Sequence, residues 1–291
     1  MSVYLNICGS GDTKPKNTGY NDQCIESRLL IPVLSDGYQF ENVASFETVA
    51  DWKAAIKAKH LVPLFPVYEL ADASTEDTKY ESGNFSKITA KGVEKITFEC
   101  YLSVCAYASL KSYENSGTYG EIFEFNEDGD YSGLSTSDGK VKGRKIKSLT
   151  ITRIRATKDK VPYVKGEITF SDKDDVLDAA ITKSDLSESD LEGIYDVTLS
   201  QVSASSTSIK LKASAGCSGG GSLVTSLTAS DFIVKNASGV VQSVSFVAAD
   251  NDGVYTLTGT GFASGFEVSL NGVVEQTTIM YESPETLTIS I

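Results

Sequence analysis

The 291-residue chain has one histidine, one tryptophan, two methionines and six prolines, and each scarcity excludes something. A lone histidine, His60, cannot supply a two-histidine metal site or relay. Ser/His/Asp or Cys/His catalysis would have to pass through it, and no G-x-S-x-G nucleophile elbow is present. His60 is expected as a surface residue or a satisfied polar one. No apolar run approaches the ~18 residues of a membrane span, so no membrane partner is expected. The opening "MSVYLNICGSGDTK" lacks a basic stretch followed by an apolar one, so no secretory signal is read and the cytoplasm is the expected compartment. The glycine-rich stretches "GSGDTK" and "GCSGGGS" lack the Lys-Ser/Thr ending of a phosphate-binding loop.

Cysteine is also too sparse for a framework. The five, Cys8, Cys24, Cys100, Cys105 and Cys217, are odd in number and match no zinc spacing. Cys8 and Cys24 have a spacing that permits a bridge, but buried thiols are the expectation where no export signal is seen. Positive charge is scarce as well. The net charge of −13 opposes a role in coating nucleic acid.

What the chain does contain is strand pattern. Ile96, Phe98, Cys100 and Leu102 alternate with polar neighbours, as Val164, Gly166, Ile168 and Phe170 do, and "SRLLIPVL" (27–34) reads as a further strand. "IFEFNEDGDYSG" (122–133) places acids at alternate positions around a glycine. As a calcium loop it fails, because Tyr131 and Ser137 occupy the positions that require glycine and glutamate. As a hairpin it succeeds, with Asp128-Gly129 as the turn. Two helices are expected. One follows Thr48, with Asp51 completing an approximate capping box and Trp52, Ala55 and Ile56 at helical spacing; the other spans 104–115. Residues 71–92 read as a long polar connection without hydrophobic pattern, expected to be disordered in an isolated subunit and to order against a neighbour through Tyr80 or Phe85.

Charge is segregated. Residues 140–160 carry nine bases and one acid, and residues 172–193 carry eight acids against two lysines. One reading is a solvated face with local pairing. The other is that Arg153 and Arg155 of one subunit meet Asp174 and Asp175 of the next. Composition shifts near 197, after which Ser, Thr, Val and Gly dominate and seven short strands follow at even spacing. That pattern predicts an immunoglobulin-like β-sandwich over 200–291, after a first domain over 1–199. The polar "TLSQVSASSTS" (198–208) is read as the joint, with the domains separating near 197–207. No cofactor, metal site or catalytic group is read anywhere in the chain.

The passages "TEDTKYESGNFSKI", "KITFECYLSVCAYASLKSY", "IFEFNEDGDYSGLSTSDGKVKGRKI" and "GEITFSDKDDVLDAAI", in that order, resemble the tail tube (major tail) proteins of long-tailed bacteriophages. "SDFIVKNASGVVQSVSF" and "DGVYTLTGTGF" resemble bacterial immunoglobulin-like modules carried by virion proteins and adhesins. The first likeness implies a β-sandwich with a flanking helix that closes into hexameric rings by continuing its sheet between neighbours. It implies further that the rings stack into a tube among other virion tail proteins, with double-stranded DNA passing through the lumen without specific binding. Assembly would take place in the host cytoplasm. The basic 140–160 segment departs from that pattern and belongs at an interface. Another phage capsid or tail component, and a cell-surface adhesin or carbohydrate-binding protein, are the alternatives.

The failed calcium pattern generates a first test. A chelator should leave the melting temperature unchanged, and a fall of several degrees would restore the calcium reading.

Overall fold

A computed structural model describes residues 6–7, 27–114, 116–183, 186–216, 221–250 and 252–291. Over the described residues the chain is mainly β with three α-helices, and it divides into two compact units, Met1–Leu191 and Glu192–Ile291. The boundary lies N-terminal to the expected joint. "TLSQVSASSTS" is no linker, because most of it belongs to a strand over Ile194–Ser205 that pairs within the second unit. Its polar composition follows from exposure along most of that strand, with Val197 and Leu199 alone turned fully into the core.

In the first unit the strands longer than two residues begin with β1 (Leu29–Ser35), β2 (Leu61–Pro63), β3 (Glu69–Asp72), β4 (Thr78–Ser82), β5 (Phe85–Ala90) and β6 (Lys95–Cys100). They are followed by β7 (Glu121–Asn126), β8 (Asp130–Ser135), β9 (Arg144–Ile154), β10 (Tyr163–Phe170) and β11 (Ala179–Lys183). All but β4 and β5 join one large sheet, whose main path runs β11-β8-β7-β9-β10-β6-β3, with β1 also paired to β7 and β2 to β1. The turn between β7 and β8 is the expected hairpin. Gly129 has φ +76°, and its amide donates to the carbonyl of Asn126 at 3.0 Å.

The helices are α1 (Val43–Glu47), α2 (Val49–Lys57) and α3 (Val104–Ser112). The capping box at Thr48 does not form. The Thr48 hydroxyl donates to the Ala44 carbonyl at 2.6 Å and so closes α1 instead of opening α2. Trp52 and Ile56 of α2 are buried as their spacing requires. Trp52 meets Phe40, Phe46, Phe123 and Tyr131 in one aromatic cluster, and its indole N–H donates to the Phe46 carbonyl at 2.8 Å. A second core joins Phe98, Leu110, Leu149, Ile151, Val164, Ile168 and Phe170. Gly166 makes room for it, since a Cβ there would lie 2.0 Å from the Phe98 ring. Cys100 is a buried thiol that burial pushes up to about 12, whereas Cys105 is disulfide-bonded, against the expectation of thiols throughout. Cys8, Cys24 and Cys217 lie outside the described residues.

The second unit is a two-sheet sandwich. One sheet holds β12 (Ile194–Ser205), β13 (Ser208–Ala215), β15 (Ser245–Val247), β16 (Val254–Thr258), β18 (Val274–Gln276) and β19 (Ile279–Glu282). The other holds β14 (Phe232–Lys235), β17 (Glu267–Leu270) and β20 (Leu287–Thr288). Their inner faces share one core that includes Ile209, Leu211, Val234, Leu257 and Val268. Tyr255 is fully buried in it, and its hydroxyl donates to the Val224 carbonyl at 2.7 Å and accepts from the Leu227 amide at 3.1 Å. Every strand read from the pattern of 208–291 is present.

A cut at 191/192 should therefore give two folded fragments. A cut at 199 removes Val197 and Leu199 from the second core, and the fragment 200–291 should lose roughly 3–6 kcal/mol or fail to fold. Urea unfolding of both pairs of fragments distinguishes the two boundaries.

Candidate assembly surface

The segment 71–92 is a β-hairpin, not a patternless connection. β4 and β5 pair in a two-stranded sheet of their own, with Tyr80 opposite Lys87 and Ser82 opposite Phe85. Every residue of both strands is exposed. Tyr80, Phe85 and Ile88 stand 58%, 57% and 49% open to solvent. Side chains two apart share a face, so Tyr80 and Phe85 lie on one side of the ribbon and Ile88 on the other. Neither side is covered by a described residue.

A two-stranded ribbon is marginal in water, so its order needs an anchor. The anchor is the root. Below the ribbon, β3 pairs with β6 from Glu69↔Glu99 to Asp72↔Ile96. Between the two ladders the Gly92 amide donates to Asp77 Oδ1 at 2.7 Å, and the Val93 amide to Thr75 Oγ1 at 2.9 Å. A Cβ on Gly92 would lie 1.9 Å from the Thr75 carbonyl oxygen, so only glycine lets the two arms close there. Asp77 is further bound by Lys173, and Lys91 by Asp174. The Gly92 amide and the Lys173 ammonium hold the Asp77 carboxyl below its ordinary range.

Lys173 and Asp174 lead to Asp175, and Asp175 leads to Arg144. The Arg144 guanidinium is buried and grips Glu94 with two hydrogen bonds of 2.9 and 2.7 Å. It also donates to Asp175 at 3.0 and 2.7 Å, lies 3.6 Å from Glu124, and packs over the Phe170 ring at 3.9 Å. Burial pushes this guanidinium down, and the Glu94 hydrogen bonds with the neighbouring carboxylates more than reverse it. Burial likewise raises the Asp175 carboxyl, and Arg144 only partly offsets it.

Of the residues expected to meet across subunits, Asp174 is bound by Lys91 and Asp175 by Arg144. Both aspartates are engaged inside their own chain, at the hairpin root, because the turn after β10 returns them to β9 and β6. Arg153 and Arg155 are exposed and form no ion pair with a described residue. Glu94, Arg144, Asp77, Gly92 and Lys173 went unread in the sequence. The available signal was Gly92, a glycine in "AKGVEK" with no turn partner.

The β9-β10-β6 sheet turns a polar face outward. Its rows read Ser148–Thr169–Lys95, Thr150–Glu167–Thr97 and Thr152–Lys165–Glu99. Lys95 pairs with Glu167 at 2.8 Å and Lys160 with Glu99 at 2.7 Å. At one end of this face Tyr68 and Tyr101 meet edge to face at 5.2 Å, and Tyr163 lies 6.4 Å beyond. His60, outside this surface, hydrogen-bonds Asp36 at 2.9 Å and stacks on Tyr38. Among the described residues no cluster has the composition of a metal site and no helix is long and apolar enough to cross a membrane. The chain matches no protein-family model, no curated protein and no solved structure.

Replacing Arg144 by Met leaves the half-buried Glu94 and Asp175 without their counter-charge. The loss should be about 3–5 kcal/mol in urea unfolding. Arg144→Met with Glu94→Gln and Asp175→Asn should recover part of it, since of the three carboxylates around the guanidinium only Glu124 then keeps its charge.

Proposed function

We propose that this chain is a structural subunit of a bacteriophage virion, the tail tube protein whose copies form stacked rings around a DNA-conducting channel. The β4–β5 hairpin carries the reading. It projects from a tied root, displays Tyr80 and Phe85 on one face and Ile88 on the other, and has no cover among the described residues. Burying each of these side chains on a neighbour is worth about 1.5–3 kcal/mol. A root tied by Gly92, Asp77–Lys173 and Lys91–Asp174 fixes the direction in which that surface is offered. Pre-set direction is what a repeating contact requires, because it lowers the ordering entropy paid at each joint.

Two further features support it. The outward face of β9, β10 and β6 presents hydroxyls, two ion pairs and a single base, Lys165, outside them, too little fixed positive charge to grip passing duplex DNA. The overall charge of −13 acts in the same direction. The second unit is an accessory module on this reading. A surface protein that binds carbohydrate is a second reading, favoured by the exposed Tyr68–Tyr101 pair. It ranks lower because edge-to-face rings present no flat platform for a sugar.

Electron microscopy of the purified protein should show rings or tubes of uniform diameter. Tyr80→Ser with Phe85→Ser should raise the concentration needed for assembly at least about tenfold, while leaving the melting temperature within ~2 °C, since both rings are exposed. Monomers at every concentration would remove the reading.

A further inference from the structure

The β9-β10-β6-β3 part of the large sheet has an outer strand on each side. β9 pairs with β7 at Arg144 and Lys145 only, then with β10 along its remaining length. Beyond Lys145, its other edge meets no strand among the described residues. Such an edge is a template for another strand, and folded proteins guard against it.

Here the guard is a pair of side chains. The Ile151 amide donates to Glu114 Oε1 at 3.3 Å, and the Ile151 carbonyl accepts from Lys111 Nζ at 2.9 Å. A paired strand would offer the same residue one acceptor and one donor, so Lys111 and Glu114 imitate it. The two residues are three apart at the end of α3 and are paired to each other. Leu110, buried in the core that contains Leu149 and Ile151, holds the helix over the edge. The Lys111 side chain is 43% exposed, so its ammonium returns to water at little cost when it lets go.

The opposite margin of the same sheet has the complementary charge. β3 exposes Glu69, which lies 3.9 Å from Lys160 but keeps most of its side chain in water, and Asp72 at its ends, whereas β9 exposes Lys147 and Arg153, with Arg155 just beyond. We propose that Lys111 and Glu114 are a removable plug in the β9 edge, displaced when β3 of a second copy pairs there. The inference rests on the self-assembly reading. It adds a named autoinhibitory contact, and it gives Arg153 and Arg155 acidic partners in place of the engaged Asp174 and Asp175. An isolated subunit with the plug seated stays unpaired at this edge until a neighbour, already aligned through its hairpin, supplies the strand.

The test compares the full chain with Lys111→Ala plus Glu114→Ala, by light scattering and microscopy over a concentration series. Removing the plug should lower the concentration threshold for assembly by about tenfold. An unchanged or higher threshold, in a variant whose circular dichroism matches the wild type, overturns the plug. Should that variant not fold, amide exchange in the wild type decides. Ile151 should exchange at least about tenfold more slowly in the assembly than in the monomer, because a main-chain ladder replaces a single carboxylate. Equal protection overturns the proposal. Glu69→Lys with Asp72→Lys should slow assembly, and adding Arg153→Glu with Arg155→Glu should restore part of the rate. No rescue overturns β3 as the displacing strand. A wild-type chain that never leaves the monomer removes the assembly reading itself, whereas a wild type that assembles beside an unaltered variant removes only the plug.

Discussion

One buried guanidinium sets the geometry of the first unit. Arg144 begins β9 where that strand leaves β7 and goes on to pair with β10, so the residue sits at the corner where the sheet changes partners. Its planar fork reaches Glu94 just before β6 and Asp175 in the turn after β10, tying one end of the antiparallel β6–β10 ladder to the start of β9. A lysine in its place would offer a point charge without the two-pronged match to a carboxylate. The main chain follows the same logic, with the Phe170 amide on the Glu94 carbonyl at 3.0 Å and the Ser171 amide on the Lys145 carbonyl at 2.9 Å. Ionic pairs of this kind cost desolvation, so their return here is a defined angle more than net stability.

That angle is passed outward. Asp175 is held by Arg144, Asp174 by Lys91, and Lys173 holds Asp77, so three consecutive residues connect the buried corner to the hairpin root. The ribbon above has no core of its own, and its direction is inherited from the corner. A surface that depends on burial elsewhere is free of packing constraints, and its residues answer only to whatever covers them. The same division marks the β9 edge, where Leu110 is held by the core while Lys111 and Glu114, one and four residues on, hold the main chain of Ile151.

The sequence was most legible where one face is buried and the other wet. Ile96 to Cys100 and Val164 to Phe170 alternate because one side packs on Phe98 and its neighbours, and the strands follow from that alone. The Trp52 helix and the Asp128-Gly129 turn are legible for similarly local reasons. The hairpin over 78–90 was not, since with both faces exposed it has no alternation to show. The strand from Ile194 to Ser205 was mistaken for a joint for the same reason, being exposed over most of its length. Arg144 was lost among nine bases in one segment. Nothing local separates a base that turns inward from the eight that do not, because its partners lie 31 and 50 residues away. The Thr48 hydroxyl had two helices to serve, and spacing alone could not show that the preceding one would take it.

The strand that opens the second unit pairs in parallel with one near its end, Ile194 beside Met280 and Asp196 beside Glu282. Parallel neighbours so far apart in the chain close late, since the loop between them must be ordered first. During synthesis the first unit has all its residues once Leu191 is made, while the sandwich must wait for β19 and β20. At about 5–20 residues per second, that gives the first unit a lead of roughly 5–20 s. The ribosome thus imposes an order of maturation, in which the hairpin and the plugged edge are in place while the second unit is still a nascent strand.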